Sequence, residues 1–348
     1  MIKLSQLPPG KMPPGAGAPY SCSPAWAELY KQVYRYDLRQ YQVLRGQEAI
    51  GGFACAVVRS PLFGTRLISL PFSDEPGLWL APGVSLNPAE ISGLKDSLVK
   101  ELDAAAAETG AEYAELRGAD LLFPGEDARF VPAAPYLRLV LDTTRPYEEL
   151  RADFNINIPK NLRKADKFVT VKESRNPADF AGVYGIYLRQ MRSFGSPPLP
   201  AAHFERLLAS GAGRLYTASV GGRAAAFLFA LVWGGIFYAD VNAGLPEFET
   251  FFPKVKLFDE TIKPACAGGL RRYDFMRTRA GSGVYEHKKK WGGREIPIKY
   301  FYRPYKPGLR LELDPEQARF ALPKLLLRHA PIALLKAIGP AIRRHAGK

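Results

Sequence analysis

The period of apolar and polar positions changes along the chain, and each change marks an element. Positions 41–45, 50–59 and 66–70 read as strands, and Gly46 and Gln47 supply the turn between the first two. The loop Leu70-Pro71-Phe72-Ser73-Asp74 closes that group. Over 88–108 the spacing becomes helical: Ile91, Leu94, Leu98 and Leu102 share one face, and four alanines, Ala104 to Ala107, favour helix. A strand is predicted at 113–118 and a short helix at 24–34. The first half therefore reads as an αββ(β)αβ mixed unit.

The second half repeats this grammar. Helices are predicted at 176–194, carrying Phe180, Val183, Tyr184, Tyr187 and Leu188, and at 200–209. Strands follow at 214–220, 223–233 and 236–242, joined by Gly221-Gly222 and Gly234-Gly235, which suit two-residue hairpin turns. A helix over 252–266 stops at Gly268-Gly269, and a strand over 271–276 comes next. Locally, Val43 to Phe53 parallels Ala218 to Phe227: strand, tight turn, then a strand of small residues. That parallel implies a tandem duplication. Between the halves lie a strand at 138–142 and helices at 147–154 and 161–167. Arg163, Lys164 and Lys167 on the last form either an anion-facing side or a solvated face.

Composition adds one constraint and removes several classes. Of 348 residues, 47% are hydrophobic and 24% charged, as in ordinary globular proteins, but the formal net charge is +14. That excess points to an anionic partner: nucleic acid, a phosphorylated substrate or an anionic membrane surface. The three cysteines, Cys22, Cys55 and Cys266, are far apart and without CxxC spacing, which argues against a disulfide framework or zinc site, so no metal is expected. The Pro- and Gly-rich start lacks the apolar core of a signal peptide, and no apolar run approaches the roughly 20 residues of a membrane span. A cytoplasmic protein, soluble or peripheral at the inner face of the membrane, is the expectation.

The chemistry gathers in 270–303. There Tyr273-Asp274-Phe275-Met276-Arg277-Thr278-Arg279 runs into Gly281-Ser282-Gly283-Val284-Tyr285-Glu286-His287-Lys288-Lys289-Lys290-Trp291-Gly292, and a strand follows over 296–302. Preceded in order by Asn161-Leu162-Arg163-Lys164-Ala165, Arg192-Ser193-Phe194-Gly195, Tyr238-Ala239-Asp240-Val241-Asn242 and Leu257-Phe258-Asp259-Glu260, this succession resembles the FemAB-type branch of the GNAT superfamily. It is especially similar to FemAB-like proteins of exopolysaccharide and exosortase systems. The resemblance is clear over 135–305 and looser over 25–120. It implies an α/β fold of two tandem GNAT-like domains with mixed sheets, at 25–140 and 141–305, between a flexible leader at 1–24 and a basic helical tail at 306–348. It also implies transfer of an acyl or aminoacyl group to an amine of a cell-envelope, peptidoglycan or exopolysaccharide precursor. By matching position, Lys288 corresponds to the family's basic residue near the phosphate and transfer site, and Arg277 and Arg279 follow its strand end. Met276 stands where glycine is usual, and His287 where phenylalanine is.

Direct acyl transfer needs proximity, removal of a proton from the attacking nitrogen and oxyanion stabilisation, but no protein nucleophile. None is evident: there is no GxSxG elbow and no Cys–His motif. Lys288 and Asp240 are the candidate catalytic residues. Lys288 and Lys289 can neutralise an oxyanion or hold a pyrophosphate, and Asp240 can accept or orient the amine proton. Arg277, Arg279, Asn242, Tyr285, Lys289, Arg163 and Lys164 are the candidate substrate-binding residues, with Tyr285 either stacking on a ligand or packing inside. His287 has the intrinsic pKa of a base, yet its matching position is apolar and favours packing. The stretch Ala243-Gly244-Leu245-Pro246-Glu247-Phe248 lacks the Arg/Gln-x-x-Gly-x-Gly/Ala loop that binds CoA pyrophosphate in GNAT enzymes. That weakens an acyl-CoA donor and favours the aminoacyl-tRNA that the resemblance implies, with acyl-CoA and amino-sugar acetylation as the alternative, and no resident cofactor. The resemblance also implies a nucleotide- or lipid-linked saccharide or muropeptide acceptor. A non-catalytic scaffold for anionic lipid or polysaccharide precursors is a third reading. The tail, 315–348, is apolar and basic; prolines 323, 331 and 340 divide it into short helical segments that suit an anionic membrane surface, tRNA or the domain itself.

Overall fold

Strand alternation, helix caps and tight turns build two compact units from this chain. A computed structural model describes residues 2–8, 17–309, 311 and 320–347. The first unit comprises Met1–Pro135, Ile298–Asp314 and Arg343–Lys348, and the second Tyr136–Pro297 and Pro315–Ile342.

In the first unit β1 (Ile2–Gln6), β2 (Asp37–Arg45), β3 (Glu48–Ser60) and β4 (Gly64–Ile68) pair antiparallel in sequence order. Short β5 (Leu78–Leu80) lies beside β3. There Gly51 is obligatory, because an added Cβ would sit 2.2 Å from the Trp79 carbonyl oxygen. Ahead of β2, helix α1 (Pro24–Leu29) runs into a π-helical turn over Tyr30–Tyr34. Helix α2 (Pro88–Thr109) then crosses over to β6 (Tyr113–Arg117), which pairs parallel to β4. Its start follows from the sequence. Asn87 accepts from the Glu90 N–H at 2.9 Å, Glu90 accepts from the Asn87 N–H at 3.1 Å, and Pro88 opens the first turn. Gly110, left-handed at φ 68°, stops it. Leu94, Leu98 and Leu102 from its inner face are fully buried, each contributing about 1.5–3 kcal/mol.

The second unit repeats this pairing scheme. Strands β8 (Val169–Ser174), β9 (Gly213–Val220), β10 (Arg223–Trp233) and β11 (Ile236–Gly244) pair antiparallel in order. Helix α7 (Pro253–Ala267) crosses to β12 (Arg272–Thr278), which is parallel to β11. Helices α3 (Tyr147–Ala152) and α4 (Asn157–Ala165) precede β8; α5 (Ala181–Phe194) and α6 (Ala201–Ala209) precede β9. In each unit a sixth strand is antiparallel to the last: β13 (Arg294–Pro304) beside β6, and β7 (Val131–Asp142) beside β12. Setting β5 aside, the two series of six strands have the same order and senses, which is what the internal repeat implies.

The exchanged sixth strands move the expected division at 140/141. Leu137 to Asp142 closes the second series and Tyr300 to Pro304 the first, since membership is decided by the ladder a strand joins. The expected leader is also part of the fold where it is described. Ile2 and Leu4 are buried on β1, and Tyr20 to Cys22 forms a buried 3₁₀ turn. The Pro9-Gly10 and Pro13-Pro14-Gly15 stretches lie outside the described residues. Beyond β13 the tail forms α9 (Ala321–His329) and α10 (Ile332–Ala346); the expected start of the tail at 315 lies outside the described residues. Pro340 does not divide it, because the helix continues on both sides. Buried Arg66 donates to the carbonyls of Ala346 at 3.0 Å and His345 at 2.5 Å, satisfying the helix end.

Candidate functional site

Parallel pairing of β11 with β12 ends abruptly. Ile236, Phe237 and Tyr238 face Arg272, Tyr273 and Asp274, and beyond that β11 continues along β10 while β12 continues along β7. The two strands separate, leaving the far edge of β11 and the near edge of β12 without each other. Asp240 and Asn242 lie on β11 past this point, both half-buried.

The β12 side is built around a bulge. Its register against β7 shifts between Asp274 and Arg277, and Met276 is left-handed at φ 59°. A non-glycine residue pays about 1–2 kcal/mol for that conformation, so neighbours must hold it. Two charged groups do. The buried Asp274 carboxylate accepts from the Met276 N–H at 2.8 Å and pairs with Arg138 of β7 at 3.0 Å. From helix α8 (Gly283–Lys289), buried Lys288 donates from Nζ to the carbonyls of Met276 and Arg277, each at 3.0 Å. Glycine is thus dispensable at 276 because a lysine clamps the loop. The Lys288 ammonium, expected near a transfer centre, holds the loop that carries Arg277.

The two arginines converge. Arg277 and Arg279, both half-buried, hold their guanidinium carbons 5.2 and 5.5 Å from the centre of the same ring, Tyr136. Tyr285 is buried in the apolar core, donates to Glu295 at 2.6 Å and accepts from Lys289 at 3.1 Å, so it packs inside. Arg163 and Lys164 are exposed on α4, with Lys164 5.6 Å from the Phe252 ring centre. His287 lies against Phe258, and its covered Nε2 has no hydrogen-bond partner among the described residues. Burial first, then Lys254, Lys290 and Lys288, push its pKa down to about 4.

On the β11 side the edge is partly taken. Gln190 of α5 donates to the Asn242 carbonyl and accepts from the Gly244 N–H, both at 3.1 Å, as a pairing strand would. After β11 the chain makes a 3₁₀ turn over Pro246–Phe251 bearing Glu247 and Glu249, and α7 then opens on Pro253, which has no N–H to offer. Among the described residues no cluster of three or more His, Cys, Asp or Glu is placed to hold a metal.

This divergence of a parallel pair lies within residues 153–289, which match the acetyltransferase (GNAT) domain model. Residues 153–289 carry this GNAT domain match, and the chain has a two-unit fold similar to those of FemX and a tandem GNAT protein. Its fold is similar to FemX, at 14% identity, over 80% of this chain and 90% of that one, with a TM-score of 0.59. It is also similar to a tandem GNAT protein from the clavulanic acid biosynthesis pathway, at 11% identity, over 89% of this chain and 100% of the other, with a TM-score of 0.52. No curated protein matches it in sequence.

The chain has a second place where such an opening could form, and it is filled. In the first unit β4 and β6 pair parallel up to Ile68 and Glu115. The loop that follows β4 then turns back onto β6. The Ser69 N–H donates to the Glu115 carbonyl at 2.8 Å, Ser69 Oγ accepts from the Arg117 N–H at 2.8 Å, and Arg117 Nη1 donates to the Ser73 carbonyl at 2.8 Å. Leu70 and Phe72 adopt left-handed backbone, φ 55° and 60°, to make this turn. Fully buried Arg117 pairs with fully buried Glu115 at 2.7 Å. The chain fills its own first opening, so the candidate site lies in the second unit.

Sequence reasoning missed three residues here. Asp274 was visible as a carboxylate inside an apolar strand. Gln190 follows Tyr187 by three positions and so sits on the apolar stripe of its helix, also a legible signal. Nothing local marked Tyr136.

Proposed function

We propose that this protein transfers an acyl or aminoacyl group to an amine of a cell-envelope or exopolysaccharide precursor, directly and without a covalent enzyme intermediate. The observation that carries the reading is the separation of β11 from β12 inside the GNAT domain, with Arg277 and Arg279 gathered on Tyr136 beside it. In the proposed step the amine nitrogen attacks the donor carbonyl, a C–N bond forms, the donor's C–O or C–S bond breaks, and the amine proton leaves to a base. Asp240, half-buried on the separated part of β11, is assigned that proton. The paired guanidinium groups are assigned to a phosphate or carboxylate of the substrate. Lys288 is a positioning residue: it fixes the loop from which Arg277 projects.

The donor is assigned to aminoacyl-tRNA. Glu247 and Glu249 and the missing N–H of Pro253 stand at the start of α7, where a CoA pyrophosphate would need donors and positive charge. Exposed Arg163 and Lys164 add positive charge on α4, in keeping with a nucleic-acid donor. The test is transfer of labelled amino acid from charged tRNA into an envelope-precursor fraction. Label that enters the precursor, is lost with RNase and falls with Asp240→Asn supports the reading. Saturable CoA binding with acetyl transfer would overturn the donor assignment. Unchanged transfer by Asp240→Asn and by Arg277→Ala would remove the site.

A further inference from the structure

The tail presents an apolar face that the fold does not cover. On α9, Leu322, Leu325 and Leu326 are 63%, 51% and 63% exposed, and this helix has no buried residue. Their i, i+3, i+4 spacing puts them on one side. On α10, Leu334 and Ile338 are also exposed, one turn apart, and Phe194 at the end of α5 is exposed as well. These helices are nevertheless docked. Gly195, which ends α5, lies so close to the Lys324 backbone that an added Cβ would be 2.5 Å from its carbonyl oxygen. On α10, Leu335 is fully buried, and a Cβ on Gly339 would be 2.3 Å from Pro198 Cδ. One side is held against the second unit while leucines on the other side face water.

Charge decides what covers them. Residues 320–348 contain Lys324, Arg328, Lys336, Arg343, Arg344 and Lys348 and no Asp or Glu. We infer that the exposed face of α9 and α10 docks on an anionic lipid bilayer, its leucines entering the interface and Arg328 and Lys336 meeting lipid headgroups. The helices would lie on the membrane, since among the described residues no helix is long and apolar enough to cross one. A second copy fits less well, because like faces bring together two surfaces of the same sign on a chain of net charge +14. RNA would engage the cations but has no use for five exposed aliphatic side chains.

The experiment is co-sedimentation of the full chain with phosphatidylcholine vesicles, with and without phosphatidylglycerol. The expected result is binding to the anionic vesicles alone, weakened by salt. Leu325→Glu with Leu326→Glu should reduce it by at least about tenfold, and Arg328→Gln with Lys336→Gln by a smaller factor. All four side chains are exposed, so thermal unfolding should be unaltered and loss of binding cannot be ascribed to misfolding. The inference falls if neither vesicle binds or if the leucine variants bind as before. It falls equally if the face is instead occupied by a second copy, seen as dimerisation abolished by Leu325→Glu. Retention of RNA in place of vesicles, insensitive to the leucines, would also overturn it.

Discussion

Replacing Lys288 by methionine tests whether its ammonium supports the β12 bulge. The apolar stem is kept and the charge removed. Two hydrogen bonds from a charged donor, each 3.0 Å, are lost, one from a buried and one from a part-buried carbonyl. Bonds to charged groups are worth about 1.5–3 kcal/mol each, and a carbonyl left unsatisfied costs on the same scale. Relief of the buried ammonium's own desolvation offsets part of this, leaving a net loss of about 3 kcal/mol. For a unit of this size that corresponds to a fall of about 6–12 °C in unfolding midpoint. Lys288→Arg should recover only part, because a planar guanidinium does not reproduce the point donor between two carbonyls. Thermal unfolding followed by circular dichroism measures both. A midpoint within about 1 °C of the parent for Lys288→Met would refute the reasoning, since surface lysines behave that way.

Arg117→Met should destabilise the first unit by about 3–5 kcal/mol in urea unfolding, because it breaks a fully buried ion pair with Glu115; adding Glu115→Leu should restore most of the loss. His287 has a folded pKa near 4, below its unfolded value near 6.5, so the unfolded chain binds more protons between them. Its contribution, about 2–3 kcal/mol, is present above pH 6.5 and lost as pH falls towards 4, and His287→Phe should flatten the stability profile in that window. Arg66→Ala should release the end of α10, seen as C-terminal trimming in limited proteolysis at a protease level that leaves the parent chain intact.

Much of this architecture was legible because local rules and tertiary packing agree. The periodicity of Ile91, Leu94, Leu98 and Leu102 and the alanines at 104–107 specified α2 almost to the residue. Glycine pairs at 221–222 and 234–235 specified two hairpins, and the repeat of Val43 to Phe53 in Ala218 to Phe227 foretold two strand series of one design. The stretch from Tyr273 to Lys290 was identifiable as chemically dense from composition alone.

What the sequence by itself determined is the set of elements, their duplication and the chemically dense stretch from Tyr273 to Lys290. Tertiary structure alone decided what surrounds each of its side chains. Periodicity shows which face of a strand is buried but not which ladder it joins, so the exchange of β7 and β13 was invisible. A lysine in a basic run reads as solvated until two carbonyls are found at its ammonium, and a glycine is expected at 276 until that clamp is seen to replace it. Arg277 and Arg279 became a pair only when Tyr136, more than 100 positions earlier in the chain, came to lie beside both of them. Such placements depend on contacts far apart in sequence, where no local pattern carries information.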